Sequence, residues 1–274
     1  MSNLLIHSMS EFADIILDCL DLAEASRIVE VGAEFGGMSQ RLAEFAGRYG
    51  GRLTSIDPAP KPEFLTWVRN HEHVEHLPLT SLEAIPTLSD VQAWVIDGDH
   101  NYYSVYHEVK GIDAVCRRDG QPLLAFFHDV GWPCARRDFY YAPEQIPAAW
   151  RHPYDFDAGV HIDTDQMLPG RGFRGMGQFA WATHQGGPRN GVLTAIEDAI
   201  EEMQAEGRQL AWAHVPAVFG LGVLFDMDAP WSAAVASRLA PLHNNPLLHT
   251  LEENRLRNYL RVIEMQDEMA SRAA

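Results

Sequence analysis

Cysteine is scarce in this chain of 274 residues: Cys19, Cys116 and Cys134, far apart and odd in number. That excludes a disulfide framework, and the lack of any CxxC pair excludes a thiolate zinc site. Reduced thiols in a cytoplasmic protein are expected instead. Long apolar runs are also missing, so no membrane span is expected. The first residues include His7, Glu11 and Asp14 and have no basic n-region, which argues against a signal peptide. Positive charge is in short supply, with 21 Lys and Arg against 38 Asp and Glu, a net charge of −17. An acidic surface repels phosphates, which excludes a sequence-independent grip on nucleic acid. There is no internal repeat, no low-complexity tract and no GKS or GKT ending of a Walker loop. What remains is a chain that is 46% hydrophobic, enough for one large core with an elaborated cap.

Within it, two short apolar runs end abruptly in acids and a histidine. Ala93-Trp94-Val95-Ile96 leads into Asp97-Gly98-Asp99-His100, and Leu123-Leu124-Ala125-Phe126-Phe127 into His128-Asp129. Such runs suit strands buried on both faces of a parallel sheet. Ligands of open α/β sheets bind outside the carboxyl ends of the strands. Asp97, Asp99, His100, His128 and Asp129 are therefore expected around one crevice, a candidate metal and acid–base site. Asp99 reads equally as the cap of a helix starting near Tyr102. His100 reads as a base or as a helix cap.

The surrounding pattern supports that sheet. Strands are expected over residues 27–32, 52–57, 74–79, 91–97 and 122–127. Helices are expected over 10–25, 38–46, 62–70 and 102–116. Alternation at this pitch means βαβ units. Glu30-Val31-Gly32-Ala33-Glu34-Phe35-Gly36-Gly37 is a glycine turn from strand to helix, where backbone amides come close to a ligand. Its spacing is not GxGxxG. Asp57, ending the next strand, is placed to accept from a ribose diol.

These residues resemble class I S-adenosylmethionine-dependent methyltransferases over roughly residues 25–130. Val29-Glu30-Val31-Gly32 through Gly37 looks like their first motif, and Ser55-Ile56-Asp57 like their second acidic strand end. Val95-Ile96-Asp97-Gly98-Asp99-His100 with Tyr102 or Tyr103 is similar to the IDGDHxY signature of a bacterial small-molecule subgroup. That subgroup lies near the metal-dependent macrolide sugar O-methyltransferases.

The resemblance implies a Rossmann-like α/β fold. Its seven-stranded, mostly parallel sheet has helices on both faces and ends in an antiparallel hairpin, here broken at Val215-Pro216-Ala217. It implies S-adenosylmethionine held by Glu30, Gly32, Gly36, Asp57, Ser81 and Asp97. It also implies a divalent ion on Asp97, His128 and Asp129, with His100 as general base beside Asp97. His128 stands where relatives carry Glu, and an imidazole widens the choice from magnesium toward manganese, iron or zinc.

After residue 130 the rhythm breaks. Residues 131–187 are rich in Gly, Pro, Arg and aromatics and are expected to be an irregular lid over the crevice. Trp132 and Tyr140 there suit stacking on an acceptor ring, and Arg136 and Arg137 suit a carboxylate or phosphate. Order returns with a helix over 191–206 and strands over 209–215 and 218–225. A tail helix runs from Asn245, its apolar stripe a core face or a homo-oligomer seam. A single domain over 1–274 is expected, with a helical segment 1–25, the lid insert 131–187 and the C-terminal helix 245–274.

The reading is an enzyme of natural product biosynthesis that methylates a hydroxyl of a small polar, glycosidic molecule. A nicotinamide-dependent oxidoreductase is disfavoured by the turn spacing. A non-catalytic S-adenosylmethionine-binding protein would have no need of the acid–histidine cluster.

Overall fold

In the computed structural model, which describes residues 9–273, five short strands follow one another at the expected pitch. They are β1 (Arg27–Val31), β2 (Arg52–Ile56), β3 (Val74–Leu77), β4 (Ala93–Ile96) and β5 (Leu124–His128). All pair in parallel, in the order β5-β4-β1-β2-β3. Every residue of β4 and β5 is buried, as strands covered on both faces require.

The chain then leaves the sheet. β6 (Phe139–Tyr140), β7 (Tyr154–Asp155) and β10 (Ala180–Ala182) form a small antiparallel sheet, and β8 (Ala158–His161) and β9 (Thr164–Pro169) form a hairpin. On its return, β11 (Leu210–Val215) and β12 (Leu221–Asp226) complete the main sheet. β12 lies antiparallel to β5, giving the order β11-β12-β5-β4-β1-β2-β3. This is the expected mostly parallel Rossmann-like sheet with its antiparallel final hairpin.

Helices cover both faces. α1 (Ala13–Leu22), α2 (Gly37–Arg48) and α7 (Ser232–Leu239) pack on one core, which includes Ile28, Leu53, Val95 and Phe126. α5 (Tyr102–Asp119) and α6 (Val192–Ala205) pack on the other, with Val29, Trp94, Ile96 and Phe127. α5 and α6 are joined by a ladder that steps four residues on each helix, one helical turn per rung. Tyr102 donates to Asp198 at 2.8 Å, Tyr106 to Glu202 at 2.6 Å and Lys110 to Glu206 at 3.3 Å. α3 (Pro62–Val68) follows β2, and α8 (Pro246–Ala273) ends the described chain. Asn245 caps α8 as expected, accepting from the backbone N–H groups of Leu247 and Leu248.

Four features differ from the sequence reading. Residues 131–187 are largely irregular, as expected, but carry five short strands, to which Phe139, Phe173, Phe179 and Trp181, in contact ring on ring, give an apolar centre. No strand there exceeds six residues, so no periodicity announced them. α4 (Ser81–Ala84) forms behind a Thr80–Glu83 capping box, and α7 was likewise not foreseen. β12 begins at Leu221 rather than Val218 because residues 218–220 turn through positive φ. Of the expected helical segment 1–25, residues 1–8 lie outside the described residues.

One carboxylate ties the insert to the sheet. Asp138 is 0% exposed. Its Oδ1 accepts the N–H groups of Tyr102 and Gly191, each at 2.7 Å, and its Oδ2 accepts the Tyr140 hydroxyl at 2.7 Å. Tyr102 opens α5 and Gly191 precedes α6, so the negative charge sits at two helix N-termini. Asp138→Ala orphans three buried donors and should cost about 3 kcal/mol or more at roughly 1–3 kcal/mol per orphaned group. Asp138→Asn keeps Oδ1 for both N–H groups and should recover most of that. Urea-unfolding midpoints of the two variants check this.

A second buried acid makes stability depend on pH. Glu108, on α5, is 0% exposed, and the Ser81 hydroxyl lies at its carboxyl group. Burial pushes its pKa up from 4.5 to about 8, with a partial offset from the Ser81 hydroxyl. The folded state then holds a proton that the unfolded state releases. The resulting stability is complete below pH 4.5 and is lost as pH rises through 8. The advantage of Glu108→Gln over the wild type should therefore grow between pH 5 and pH 8. Equal differences in unfolding midpoint at the two pH values would contradict this.

Candidate functional site

Parallel pairing brings the carboxyl ends of β1, β2, β4 and β5 to one edge. Val31 is level with Ile56 and Ile96, and Ile96 with Phe127. The glycine loop leaves β1 there. Gly32 takes φ 86°, and a Cβ on it would lie 2.0 Å from the Asp97 carbonyl oxygen. Only glycine allows β4 to end this close to the loop. Gly36, at φ 82°, precedes the first turn of α2, and a Cβ on it would press on Phe64.

Asp57 shapes this loop. Its Oδ2 accepts the N–H groups of Ala33 and Glu34, both at 3.0 Å, and its Oδ1 accepts that of Ala59 at 2.8 Å. A carboxylate has about four acceptor positions, so roughly one remains for a ligand hydroxyl. Glu30 lies deeper. It is 1% exposed and takes the hydroxyls of Ser39 and Ser55 at 2.5 and 2.9 Å, fastening β1 to α2 and β2. Burial outweighs those two bonds and pushes its pKa up to about 7. The structure thus places Glu30 beneath the loop rather than in the crevice. Ser81 is half-buried at the first position of α4.

Past β4 and β5, three side chains converge. Asp97, His100 and Asp129 each offer a ligand atom, and these atoms lie within 4.8 Å of one another. Asp97 keeps 25% of its side chain exposed, and His100 and Asp129 11% and 10%, so the crevice reaches all three. Asp129 takes φ 57°, which turns its carboxylate from the strand line toward His100 Nδ1, 3.5 Å away. Two carboxylates and an imidazole are a donor set that fits a divalent ion. Asp99 stands apart from the three and accepts from Ser104 at 2.8 Å.

His128 is at the cluster but outside the donor set. Its Nε2 faces the Val218 carbonyl at 3.0 Å, and its Nδ1 faces Asp97 at 3.1 Å and Asp129 at 3.3 Å. Every partner is an acceptor, so both ring nitrogens carry protons. Burial alone would lower its pKa, but the Asp97 and Asp129 carboxylates overcome that and hold it well above the usual range. Because both of its ring nitrogens are engaged, His128 drops out of the expected ligand set of Asp97, His128 and Asp129, and the two carboxylates remain with His100 beside them.

The expected acceptor residues are dispersed. Arg137 is 1% exposed and donates to the Ala182 and Asp165 carbonyls, both at 2.6 Å. Tyr140 is 1% exposed and bound to Asp138. Arg136 pairs with Glu197 and Thr194 on α6. These three hold the insert together rather than face the crevice. Trp132 is half-buried, 6.5 Å from the Phe173 ring.

The aromatic at the crevice is Tyr141. It is 54% exposed, its ring is 6.1 Å from His100 and 4.7 Å from Phe139, and Phe139 meets His100 at 5.4 Å. Surrounding protein and then Asp97 and Asp129 raise its phenol pKa, as fits the wall of an acidic cleft. The period of two in a strand puts Tyr140 and Tyr141 on opposite faces, a signal that Phe139-Tyr140-Tyr141 already carried. A cavity at the opposite end of the sheet, between Arg27, Arg52, Thr54 and Val91, holds none of these groups.

Among solved structures, the chain is similar to an O-methyltransferase from Bacillus cereus in complex with SAH. The identity is 15% and the TM-score 0.48, over 82% of this chain and 85% of that one. It is also similar to the SAH-bound Podospora anserina methyltransferase PaMTH1, at 12% identity and a TM-score of 0.44, over 78% of each chain. No curated protein matches it. Residues 29–130 match the family model described as a methyltransferase domain, and this stretch holds the glycine loop, Asp57, Ser81, Asp97, His100 and Asp129.

Proposed function

We propose that the chain transfers a methyl group from S-adenosylmethionine to a hydroxyl of a small polar natural product, with a glycoside as the first acceptor class to test. The observation that carries this reading is the grouping of Asp97, His100 and Asp129 at the strand ends beside the Gly32 loop. The family match over residues 29–130 supports it.

The residues divide the work by position. The loop from Gly32 to Gly37, shaped by Asp57, takes the nucleoside end of the donor, with Ser81 at the next strand end. Asp97 joins that loop to the acid cluster, its backbone carbonyl against Gly32 and its side chain among the acids. His100 takes the proton of the acceptor hydroxyl through Nε2, with Nδ1 turned to Asp129. Tyr141 and Phe139 wall the acceptor side. His128, donating to both acids, fixes their orientation.

Asp97 and Asp129 would hold a divalent ion, and magnesium suits a pair of carboxylates completed by ligand oxygens. When bound, such an ion lowers the pKa of a hydroxyl that it contacts. If His100 ligated the ion as a third donor, its other nitrogen would carry the proton and it could not act as base. We read His100 as the base.

Three features bear on setting. Cys19, Cys116 and Cys134 are all free and buried, which suits a reducing cytoplasm. No helix among the described residues is long and apolar enough to cross a membrane. α8 exposes Leu247, Leu251, Val262, Met265 and Met269, and this stripe supports a homo-oligomer seam.

Calorimetry with S-adenosylmethionine tests the donor site. Asp57→Ala should weaken binding by more than about tenfold, on the order of 1.4 kcal/mol. Unchanged affinity in a folded variant would remove Asp57 from the site. SAH release with a panel of hydroxylated acceptors tests the chemistry. His100→Ala should lower kcat by about 10²–10⁴-fold, the usual contribution of a general base, with donor affinity intact. A chelator should abolish turnover and added metal should restore it. Full turnover in a metal-free sample would leave His100 acting without an ion.

A further inference from the structure

The turn between β11 and β12 is closed by the Gly220 N–H on the Ala217 carbonyl at 2.8 Å, yet its two central residues are strained. Val218 and Phe219 are consecutive left-handed residues, at φ 44° and 64°. A β-branched residue there is an outlier, and such strain persists only where the surroundings impose it. Here α8 imposes it. Glu252 accepts the Phe219 N–H at 2.9 Å. Arg255 donates to Glu252 from Nε and Nη2, each at 2.7 Å, and lays its guanidinium over the Phe219 ring at 4.7 Å. The Glu252 side chain is only 11% exposed, and its hydrogen bonds hold its pKa below the usual range against the pull of burial.

The other side of the same turn faces the acid–histidine cluster. The Val218 carbonyl accepts His128 Nε2–H at 3.0 Å. The Phe219 carbonyl accepts the N–H of Gly131, two residues past Asp129, and a Cβ on Gly131 would lie 2.6 Å from that oxygen. The two loops therefore touch backbone to backbone with no slack. An unbroken series of contacts runs from α8 through Glu252, the Val218–Phe219 turn and His128 to Asp97 and Asp129.

We propose that Glu252, supported by Arg255, is a positioning residue for the Asp97–His100–Asp129 cluster, acting through the Val218 carbonyl and His128. This rests on reading the cluster as the methyl-transfer site. The physical content is directional. The buried His128 ring keeps its plane only while Nε2 has the Val218 oxygen in line and Nδ1 faces the two carboxylates. Release of the turn moves the Val218 oxygen away from Nε2. The ring is then free to rotate about χ2, and Nδ1–H no longer aligns both carboxylates. Glu252 is thus a constraint applied from the C-terminal helix to a centre that it does not touch.

The test uses the full-length protein labelled with 15N-histidine. The ring N–H resonance of His128 is identified by its loss in His128→Gln. In Glu252→Ala that resonance should shift or vanish. SAH release should fall by about ten- to a hundredfold in kcat, the usual effect of losing a group that orients a site residue. Affinity for S-adenosylmethionine should stay within about twofold, since the donor loop lies on other strands. Glu252→Gln still offers an oxygen to the Phe219 N–H and should keep both the resonance and kcat. Arg257→Ala cuts a different link from α8, its 2.6 Å pair with Asp163, and should leave both unchanged.

An intact His128 resonance in Glu252→Ala, or the same loss in Arg257→Ala, would overturn the proposal. If Glu252→Ala does not fold, Arg255→Ala takes its place with the same expected direction. Absence of methyl transfer in the wild type would count against the functional reading alone, because the resonance needs no substrate.

Discussion

A histidine ring buried between two carboxylates and a carbonyl is the constraint on which this edge of the sheet depends. His128 is 3% exposed, so water cannot solvate its ring. Both protons must find protein acceptors, since an orphaned buried donor is costly. Asp97, Asp129 and Val218 supply them. Each comes from a different stretch: the end of β4, the residue after β5, and the turn before β12. The requirement therefore couples three loops that share no local sequence. The antiparallel placement of β12 beside β5 follows the same logic, because it brings the Val218 turn level with His128.

A second buried charge organises the opposite side of the crevice. Asp138 gives its carboxylate to two helix N-termini and a tyrosine, so the insert is fixed to α5 and α6 rather than draped over them. Phe139 follows directly. Its N–H donates to the His100 carbonyl at 3.1 Å and its ring meets the imidazole. The position of His100 is thus set twice, by the loop from β4 and by an insert strand held through Asp138. Arg137 and Arg136 are consumed in the same attachment, which is why this wall of the crevice is aromatic and acidic rather than cationic.

Much of the fold was legible because it is written in local patterns. The runs at 93–96 and 123–127 are uniformly apolar, as suits a strand buried on both faces. The Asn245-Pro246 cap of α8 is a local signal and held in place. The insert was not legible. Its strands are two to six residues long, too short to show a period, and its aromatics read as ligand contacts when most are packing. Arg137 illustrates the limit: an arginine after a strand-end acid looks available until Ala182 and Asp165, far along the chain, are brought to it.

The sequence by itself determined the sheet, the glycine loop and the edge at which Asp97, His100, His128 and Asp129 would meet. Strand periodicity and the rule that parallel strands share a carboxyl edge are enough for that. Which of those side chains offers a free lone pair was decided only in three dimensions. His128 and His100 are both imidazoles beside acids, and no local feature separates them. The difference is the Val218 carbonyl, 90 residues away, which occupies one nitrogen of His128 and leaves His100 as the histidine that faces the crevice.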